Sequence, residues 1–480
     1  MRRHPLRQLR YLLLLLTILI SGTMILLAHG DEPNDNEAPE TPEINLDFTP
    51  TYYEHVKPIL VENCMACHTE GQIAGDIPFD DELLIDSYED IAFVTGIRYM
   101  PPWMPSQDSL PMEHDRSLTD YEFAVIQAWA EDGAPTGNEA DYVEPQATYS
   151  LTDIDADQVL QLEEAYTPEE GVDDDYRCFV FSPDIDTPVF LTGYEFLPDV
   201  TEQVHHGIIY LVDSSAQREI EAKNYEDGRV GWSCYTGTNI NTRNEEFLGT
   251  WTPGTLPVSL PEGTGYWIEP DDIFIVQIHY NLLSQREPDQ TSVNLQYESG
   301  VSNLQRLLTF ELQAPVEIPC PTGVIGEQCD RDTAIRRTAD LYGEFWLTYR
   351  PDGLLDQCDQ TIDDYAENTG EHATTFCDYD VPAPLTVLGV YGHMHELGHS
   401  FKLELNPDTD NSQLILDIPQ WDFHWQDRYQ LSEPLQLERG DNIRMTCTWD
   451  NTLLDNPRYV VWGEGTEDEM CFATIMLVTP

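Results

Sequence analysis

The larger part of the chain, from Arg177 to the C-terminus, consists of short runs of β-branched and aromatic residues that Pro, Gly and Asp interrupt. Runs of this length, separated by turn residues, are typical of strands in β-sandwiches. The clearest runs are Phe179 to Phe181, Ile208 to Val212, Ile273 to His279, Leu385 to Val390, Phe401 to Leu405, Ile443 to Thr448 and Phe472 to Val478. We therefore predict that this part of the chain is all β.

The N-terminus has the pattern of an export signal. Four arginines within the first ten residues precede an apolar run over 11–27, and the small residues Ala28 and Gly30 follow. The run is shorter than the ~20 residues of a comfortable membrane span. We predict a removed signal peptide over residues 1–30 and an exported protein, periplasmic or extracellular. A retained N-terminal anchor is the alternative.

Acidic residues dominate the composition. The 480 residues include 88 Asp and Glu against 23 Lys and Arg, which gives a formal net charge of −65. A chain with so few cations offers no basic face for nucleic acid. The acidic surface is either plainly solvated or a docking surface for a cationic electron donor.

Two acidic segments with little to bury predict linkers around a short helical domain. Residues 31–50 are expected to be a disordered linker, and residues 138–170 a second acidic linker. Between them, residues 51–137 contain a helical pattern from Tyr53 to Glu62 and a capping box, Thr119-Asp120-Tyr121-Glu122, that opens another helix. We predict a small all-α domain over 51–137.

The helical domain carries a haem-attachment motif, Cys64-Met65-Ala66-Cys67-His68. In an exported protein, the two thiols of C-x-x-C-H can bond covalently to haem while the His ligates the iron. The motif therefore predicts a cytochrome c-like domain with one covalently bound haem c. A disulfide or redox C-x-x-C beside an incidental His is the alternative.

The second axial ligand of such a haem is expected to be a Met after the first helix. Met100, in Met100-Pro101-Pro102-Trp103, lies in the interval where small c-type cytochromes place this ligand. Met104 and Met112 are rivals for the same role. A thioether opposite His raises the reduction potential, which suits an electron carrier.

Four motifs in the β-rich part contain candidate metal ligands. They are Val204-His205-His206-Gly207, Gln277-Ile278-His279-Tyr280, His393-Met394-His395 and Asp468-Glu469-Met470-Cys471. Side chains alternate faces along a strand, so His393 and His395 can share one ion, whereas His205 and His206 need a bulge, which Gly207 would permit. Imidazole suits copper and zinc, and an added thioether favours copper.

From about Arg177 onward the chain resembles the ascorbate-dependent type II copper monooxygenases, the family of peptidylglycine α-hydroxylating monooxygenase and dopamine β-monooxygenase. The resemblance implies two jelly-roll β-sandwiches, over 171–300 and 301–480, with one copper ion in each. It implies an electron-storing copper site formed by His205, His206 and His279. It also implies a second copper site, where O2 binds and a substrate C–H bond is cleaved, formed by His393, His395 and Met470.

The resemblance also implies two disulfides, Cys178–Cys234 and Cys447–Cys471. Four further cysteines, Cys320, Cys329, Cys358 and Cys377, lie in an acidic insertion at about 319–380, and their pairing stays open.

The chain departs from the peptide-hydroxylating members where they hold their substrate. Tyr391, Phe472 and Thr474 stand where those enzymes have Arg, Asn and Tyr, so a peptidylglycine substrate is not expected. His399 is an extra histidine, for which we expect a supporting or structural role. His424 is expected to pack in a framework strand.

These observations predict a copper-dependent monooxygenase that hydroxylates a small substrate with O2. The haem c domain is expected to relay electrons to the three-His copper through the flexible linker, and an ascorbate-like reductant or redox protein is the expected external donor. Two alternatives fit the same residues. One is an exported haem and copper protein for electron transfer or metal binding without oxygenation, and the other is a module with zinc or structural metal at the His clusters.

Overall fold

The computed structural model describes residues 44, 46–65, 67–68, 80–145, 154–235, 237–253, 255, 257–282, 285–343 and 350–480. The predicted signal peptide and residues 31–43 of the predicted linker lie outside this part. Residues 48–480 form one unit. Among the described residues, no helix has the length and apolar character needed to cross a membrane.

Short helices are concentrated near the N-terminus. The α-helices of the described part are α1 (Lys57–Asn63), α2 (Asp81–Asp86), α3 (Tyr88–Gly96), α4 (Asp120–Glu131), α5 (Gln217–Lys223), α6 (Arg331–Tyr342) and α7 (Pro351–Gln357). A π-helical turn, Tyr52–Val56, leads into α1, and 3-10 turns lie at Glu139–Asp141, Ser214–Ala216, Glu327–Cys329, Ile362–Tyr365 and Asn451–Leu453.

Helix α4 begins at the predicted capping box. The Thr119 hydroxyl accepts a hydrogen bond from the Glu122 N–H (3.3 Å), and the Glu122 carboxylate accepts one from the Thr119 N–H (2.8 Å). Both backbone donors of the helix start are thereby satisfied. The helix buries Val125, Ile126 and Trp129, so this local prediction is confirmed.

Strands make up most of the regular structure. They are β1 (Gln158–Gln161), β2 (Asp174–Phe181), β3 (Val189–Leu197), β4 (Val204–Val212), β5 (Trp232–Ser233), β6 (Glu245–Trp251), β7 (Val258–Ser259), β8 (Thr264–Ile268), β9 (Ile273–Asn281), β10 (Ser292–Ser299), β11 (Gln305–Arg306), β12 (Leu308–Gln313), β13 (Glu317–Ile318), β14 (Ala373–Asp380), β15 (Leu385–His393), β16 (Gly398–Leu405), β17 (Gln413–Ile418), β18 (Arg428–Leu437), β19 (Asn442–Trp449), β20 (Val460–Val461) and β21 (Phe472–Val478).

Two sheets make up the first sheet pair, residues 158–306. A five-stranded sheet has the order β5-β2-β9-β4-β6, and a six-stranded sheet has the order β1-β10-β3-β8-β11 with β7 beside β3. Their inner faces share one apolar core that includes Phe179, Leu191 and Val276. Strand β9 is buried along eight of its nine residues because it lies in the centre of its sheet.

Two further sheets make up the second sheet pair, residues 308–478. Their orders are β12-β21-β15-β18 and β14-β19-β16-β17, and the short pair β13-β20 lies beside them. Val390, Phe401 and Trp449 belong to their common core. Leu388 and Met476 face the core of the first sheet pair instead, so the two sheet pairs share an apolar contact.

The predicted fold class, a small all-α cytochrome c-like domain followed by two jelly-roll sandwiches, is wrong. The described chain is mostly β, with four sheets of four to six strands and one two-stranded pair, and its seven α-helices are short. The described α-helices before residue 137 are 6 to 12 residues long and do not form a clear all-α cytochrome domain. Residues 48–480 accordingly form one unit. The predicted domain boundaries stay predictions.

The N-terminal strap, residues 103–117, packs along the second sheet pair. Ser106 donates a hydrogen bond through its hydroxyl to the Asp417 carboxylate (2.6 Å) and through its N–H to the Asp417 carbonyl (2.7 Å). Met112 is buried in the core of the second sheet pair and forms a β-bridge with Leu431 on β18. The strap therefore belongs physically to the β-rich part of the molecule.

Candidate functional site

Most of the predicted metal ligands line one cavity of about 530 Å³. Its walls include His205 and His206 from the first sheet pair and His393, His395 and Met470 from the second. The sixth predicted ligand, His279, lies beside His206, with 3.4 Å between their Nδ1 atoms. Residues almost 270 positions apart in the chain thus meet at the contact between the two sheet pairs.

The three-His cluster, His205, His206 and His279, is assembled by an irregularity in β4. The register between β4 and β9 shifts between Val204 and His206, so adjacent histidines can serve one site. Gly207 has a different role from the expected one. A Cβ at this position would lie 2.4 Å from the Phe196 ring, so glycine is required there by close packing.

The nitrogen geometry of this cluster fits a metal ion. The Nδ1 atom of His206 lies 3.4 Å from the Nδ1 atoms of both His205 and His279. The Nε2 atom of His279 lies 2.8 Å from Asp174 Oδ1, which assigns the ring proton to Nε2 and leaves Nδ1 as a lone-pair donor. All three rings offer ligand atoms within 4.8 Å of one another.

Burial keeps these three imidazoles neutral. It lowers the pKa of His205 to about 4 and the pKa values of His206 and His279 well below the usual range. Neutral imidazole is the form that ligates metals. Converging lone pairs repel one another unless a cation lies between them, so the donor set fits a metal ion that imidazole ligates, such as copper or zinc.

The second cluster, His393, His395 and Met470, follows the predicted alternation along β15. Met394 is fully buried in the core, whereas His393 and His395 line the cavity with their ring centroids 5.0 Å apart. Burial lowers their pKa values to about 3 and about 4. Both rings are therefore neutral in the structure.

Hydrogen bonds select the free nitrogen of each of these two rings. The Nδ1–H of His393 donates to Gln426 Oε1 (2.5 Å), whose amide orientation is fixed because its Nε2 donates to the Phe423 carbonyl (2.8 Å). The Nδ1–H of His395 donates to the Asp468 carbonyl (3.1 Å). Each ring retains Nε2 as a lone-pair donor, as metal-ligating histidines do when the other nitrogen is hydrogen-bonded.

Glu469 holds the backbone of this cluster through hydrogen bonds. Its fully buried carboxylate accepts hydrogen bonds from the backbone N–H groups of His395 (2.9 Å), Leu397 (2.6 Å) and Met470 (3.2 Å), and from Trp449 Nε1 (3.0 Å). Burial raises the pKa of Glu469 to about 8, although these donors act in the opposite direction. One side chain thus fixes the backbone of two candidate ligands.

The two clusters are linked through Tyr176. Its hydroxyl donates to the Glu464 carbonyl (2.6 Å), in the loop that precedes Met470, and its ring stacks on His279. One buried aromatic side chain therefore contacts both a ligand of the first cluster and the loop that precedes a ligand of the second.

Sequence reasoning missed the segment between β17 and β18 as part of the site. Phe423 stacks on His205 (ring centroids 4.9 Å) and lies edge-on to His395 (5.9 Å). His424 was expected in a framework strand, but it is exposed in this segment and pairs with Asp422 (3.0 Å), which raises the pKa of His424. No local pattern marks these residues because they meet the ligands only in the folded chain.

Two of the three positions that depart from the peptide-hydroxylating enzymes are aromatic residues of the cavity wall. Tyr391 and Phe472 line the cavity, and the Phe472 ring centroid is 6.4 Å from that of His393. The Tyr391 hydroxyl contacts Gln426 Oε1 (3.3 Å), whereas Thr474 is buried on β21. His399 is exposed on β16 and does not line this cavity.

The predicted haem-attachment motif contains two cysteines that form no disulfide. Cys64 and Cys67 are free, and the pKa of Cys64 is raised to about 12 by burial. Ala66 of the motif lies outside the described residues. Burial raises the pKa of the Cys67 thiol, and the ion-paired charges of Arg116 and Asp427 act on it in opposite directions.

The three candidate axial methionines differ in their surroundings. Met112 is buried in the core of the second sheet pair, and the Met104 sulfur accepts a hydrogen bond from the Asp422 N–H (3.3 Å). Met100 is half-buried at the end of the segment that follows α3. Met104 and Met112 thus contact the β-rich part of the molecule.

The remaining eight cysteines form four disulfides. Cys178–Cys234 and Cys447–Cys471 are the pairs that the resemblance implies, and Cys320–Cys329 and Cys358–Cys377 complete the set. The number of disulfides indicates folding in an oxidising compartment. It is consistent with an exported protein.

Fold and site together define a disulfide-rich, mostly β-sheet protein with two histidine clusters on one cavity. Residues 358–479 match the family model described as copper type II ascorbate-dependent monooxygenase, C-terminal domain. The match contains His393, His395 and Met470 and supports a copper monooxygenase family, a family of oxidoreductases. It does not extend to the haem-attachment motif or to the three-His cluster.

No curated protein matches the chain. Among solved structures, a fucolectin from striped bass (Morone saxatilis) serum is 9% identical over 64% of this chain and 84% of its own, with a TM-score of 0.16. The glycosylasparaginase PNGase F from Flavobacterium meningosepticum is 8% identical over 67% of this chain and 96% of its own, with a TM-score of 0.24. Similarity at this level carries no functional argument.

Proposed function

We propose that this protein is a copper-dependent monooxygenase that hydroxylates a C–H bond of a small organic substrate with O2. The observation that carries the proposal is the shared cavity, onto which both histidine clusters open. The family match of residues 358–479 supports it independently. The matched family is ascorbate-dependent by name, which supports an ascorbate-like reductant as the external donor.

Each cluster has a donor set that suits one copper ion. His205, His206 and His279 would hold the first through Nδ1, and His393, His395 and Met470 the second through two Nε2 atoms and the sulfur. Copper held in both clusters would supply the two electrons that O2 requires beyond those taken from the C–H bond. The thioether of Met470 argues against zinc, which prefers His, Cys and carboxylate ligands.

The protein's own residues orient the ligands. Gln426 and the Asp468 carbonyl hold the Nδ1 protons of His393 and His395, and Asp174 holds the Nε2 proton of His279. The cavity walls near the second cluster are aromatic: Phe423, Trp425, Trp462, Phe472 and Tyr391. We expect a small substrate with a substantial apolar part.

A covalent haem c at Cys64, Cys67 and His68, with Met100 as the second axial ligand, is the other part of the proposal. A haem held there would supply electrons to the copper pair. The free thiols of the motif support attachment, since the other eight cysteines are paired. The strap contacts the second sheet pair, which supports electron delivery by a docked N-terminal region in place of the mobile tether expected from the sequence.

The test is metal and haem analysis of the full chain after periplasmic expression, with O2 uptake recorded as candidate substrates are added. We expect two coppers and one haem c, one copper less in both Met470→Ala and His205→Ala, and no turnover in either variant. His424→Ala, at an exposed cavity histidine outside both clusters, is the matched control and should keep both ions. Zinc or no metal at the clusters would refute the proposal, and copper without substrate-dependent O2 uptake would leave an electron-transfer protein.

A further inference from the structure

The insertion between the two clusters, expected at about 319–380, contributes a helix to the second cluster. Helix α6 begins after Asp330, whose side chain accepts a hydrogen bond from the Thr333 N–H (2.9 Å). The N-terminal end of α6 is held by the Cys320–Cys329 disulfide, which directly precedes it, and by the ion pair of Arg331 with buried Glu317 (2.5 Å). The helix is therefore anchored independently of the cavity.

The distal half of α6 contacts the Met470 loop, which we define as residues 463–469. Arg337 forms a hydrogen-bonded ion pair with the Asp468 carboxylate. The Tyr342 hydroxyl donates to Asp468 Oδ2 (2.7 Å) and accepts from the Gly465 N–H (2.7 Å). Asp468 is only 2% exposed, so these partners compensate a carboxylate that is removed from water.

The Met470 loop folds tightly around the Asp468 side chain. The Gly463 N–H donates to the Glu469 carbonyl (3.1 Å), and the Asp468 N–H donates to the Gly465 carbonyl (2.7 Å). A Cβ on Gly463 would lie 2.5 Å from Asp468 Oδ2, so only glycine fits. The position of the Asp468 backbone thus depends on where its carboxylate is held.

The Asp468 backbone in turn orients a candidate ligand. Its carbonyl accepts the Nδ1 proton of His395 (3.1 Å), and the next residue, Glu469, binds the N–H groups of His395 and Met470. A chain of hydrogen bonds therefore runs from Arg337 and Tyr342 through Asp468 to the ring of His395. Hydrogen-bond partners of this kind orient metal-ligating histidines and set their basicity.

We propose that α6 is a positioning element of the second cluster, acting through Asp468 on His395. The proposal rests on the proposed function in one respect, that His395 and Met470 bind copper. It goes beyond the family match, because α6 lies before the matched residues 358–479. Arg337 and Tyr342 are positioning residues, since neither lines the cavity.

The expected loss of copper affinity follows from the role of Arg337 and Tyr342 as hydrogen-bond partners behind a ligand. Loss of a residue that orients a metal-ligating histidine costs about 10- to 100-fold in metal affinity. We expect this loss at the second cluster in Tyr342→Phe, which keeps the ring and removes only the hydroxyl, and in Arg337→Met. Arg337→Lys retains a cation for Asp468 and should recover most of the affinity.

The experiment titrates the metal-free full chain with Cu(I) alone in competition with a chelator, in a His205→Ala background that isolates the second cluster. The matched control is Tyr365→Phe, which loses a hydroxyl in the same insertion; that hydroxyl contacts Gln360 and the Phe376 carbonyl and does not touch the Met470 loop. Thermal unfolding of each variant verifies that it is folded. In the chain with His205 intact, affinity of the three-His cluster serves as an internal reference.

A loss of about tenfold or more in Tyr342→Phe and Arg337→Met, with recovery in Arg337→Lys and none lost in Tyr365→Phe, supports the inference. Affinities within twofold of the parent in both variants overturn it while leaving the proposed function intact. If the parent binds no copper at the second cluster, or if His393→Ala removes none, the proposed function itself fails and the inference with it.

Discussion

The ring of Tyr176 lies flat against the ring of His279, with 4.0 Å between the centroids and 10° between the planes. The same tyrosine donates its hydroxyl hydrogen to the Glu464 carbonyl in the Met470 loop. One residue of β2 therefore contacts a ligand of the first cluster and the loop that carries a ligand of the second. This arrangement permits the two contributions to be separated by mutation.

Tyr176→Phe should weaken copper binding at the second cluster while leaving the three-His cluster nearly unchanged. The stacked ring remains, and only the hydrogen bond to the Met470 loop is lost, which costs about 1 kcal/mol in stability. Tyr176→Leu should weaken both clusters because the stacking is also removed. Copper titrations of the two variants check this, and equal losses at both clusters in Tyr176→Phe would contradict it.

Glu469→Gln should destabilise the protein and reduce copper binding at the second cluster. Above about pH 8, where Glu469 is ionised, the replacement amide offers a donor where four donors already converge, so at least one buried N–H loses its acceptor at a cost of about 1–3 kcal/mol. Urea unfolding of the metal-free chain measures the loss. Glu396→Gln, at the exposed carboxylate next to His395, is the control and should leave the free energy of unfolding unchanged.

Gln426→Leu should lower copper affinity at the second cluster by about tenfold or more. The His393 Nδ1–H would lose its acceptor, so the ring would no longer be held in one tautomer and orientation. Gln430→Leu, four residues further along on β18 and hydrogen-bonded to Glu113 at the surface, is the comparison variant. Competition titration with Cu(I) distinguishes the two, and identical affinities would exclude a role for Gln426.

Asp227→Asn should destabilise the protein more at pH 7 than at pH 3. The Arg177 guanidinium is fully buried and binds both carboxylate oxygens of Asp227 (2.7 and 2.8 Å), which together with Arg229 lowers the pKa of Asp227. A lowered pKa gives stability that is fully present above the unfolded value of about 3.9 and is lost progressively as pH falls from there through the lower pKa of the folded state. Urea unfolding at both pH values measures the difference, and an equal loss in the free energy of unfolding at pH 7 and pH 3 would contradict this prediction.

Met112→Ala should cost about 2–5 kcal/mol in the free energy of unfolding, since Met112 is buried in the core of the second sheet pair. Met100→Ala should cost less, because Met100 is only half-buried. With haem attached, only Met100→Ala is expected to change the haem absorbance spectrum. Unfolding and spectra of the two variants provide the check, and a spectral change in Met112→Ala would reassign the ligand.

Local patterns predicted the parts of the molecule in which neighbours in sequence are neighbours in space. The capping box at Thr119 and the opposite faces of Met394 and its flanking histidines follow from helix and strand geometry alone. The strand runs of the β-rich part likewise correspond to observed strands. In each case the information lies within a few residues.

Contacts across long stretches of chain were not predictable in this way. Ser106 and Asp417 are 311 residues apart, and neither has a sequence environment that indicates a partner. A separate helical domain was expected because the helix signals before residue 137 are genuine. The burial of Met112 in a distant β core could not be predicted, because no hydrophobic periodicity in the sequence around Met112 indicates it. Gln426 and Arg337 were missed for the same reason, since each acts on a ligand that lies on another element.

The strap also determines how the chain responds to cleavage. A protease that cut the predicted linker between residues 142 and 158 would separate the haem-attachment motif from every strand in sequence, yet Ser106, Met112 and Glu113 would keep their bonds to Asp417, Leu431 and Gln430. The two pieces would migrate together as a nicked but intact particle under native conditions. Only denaturation would release the N-terminal fragment.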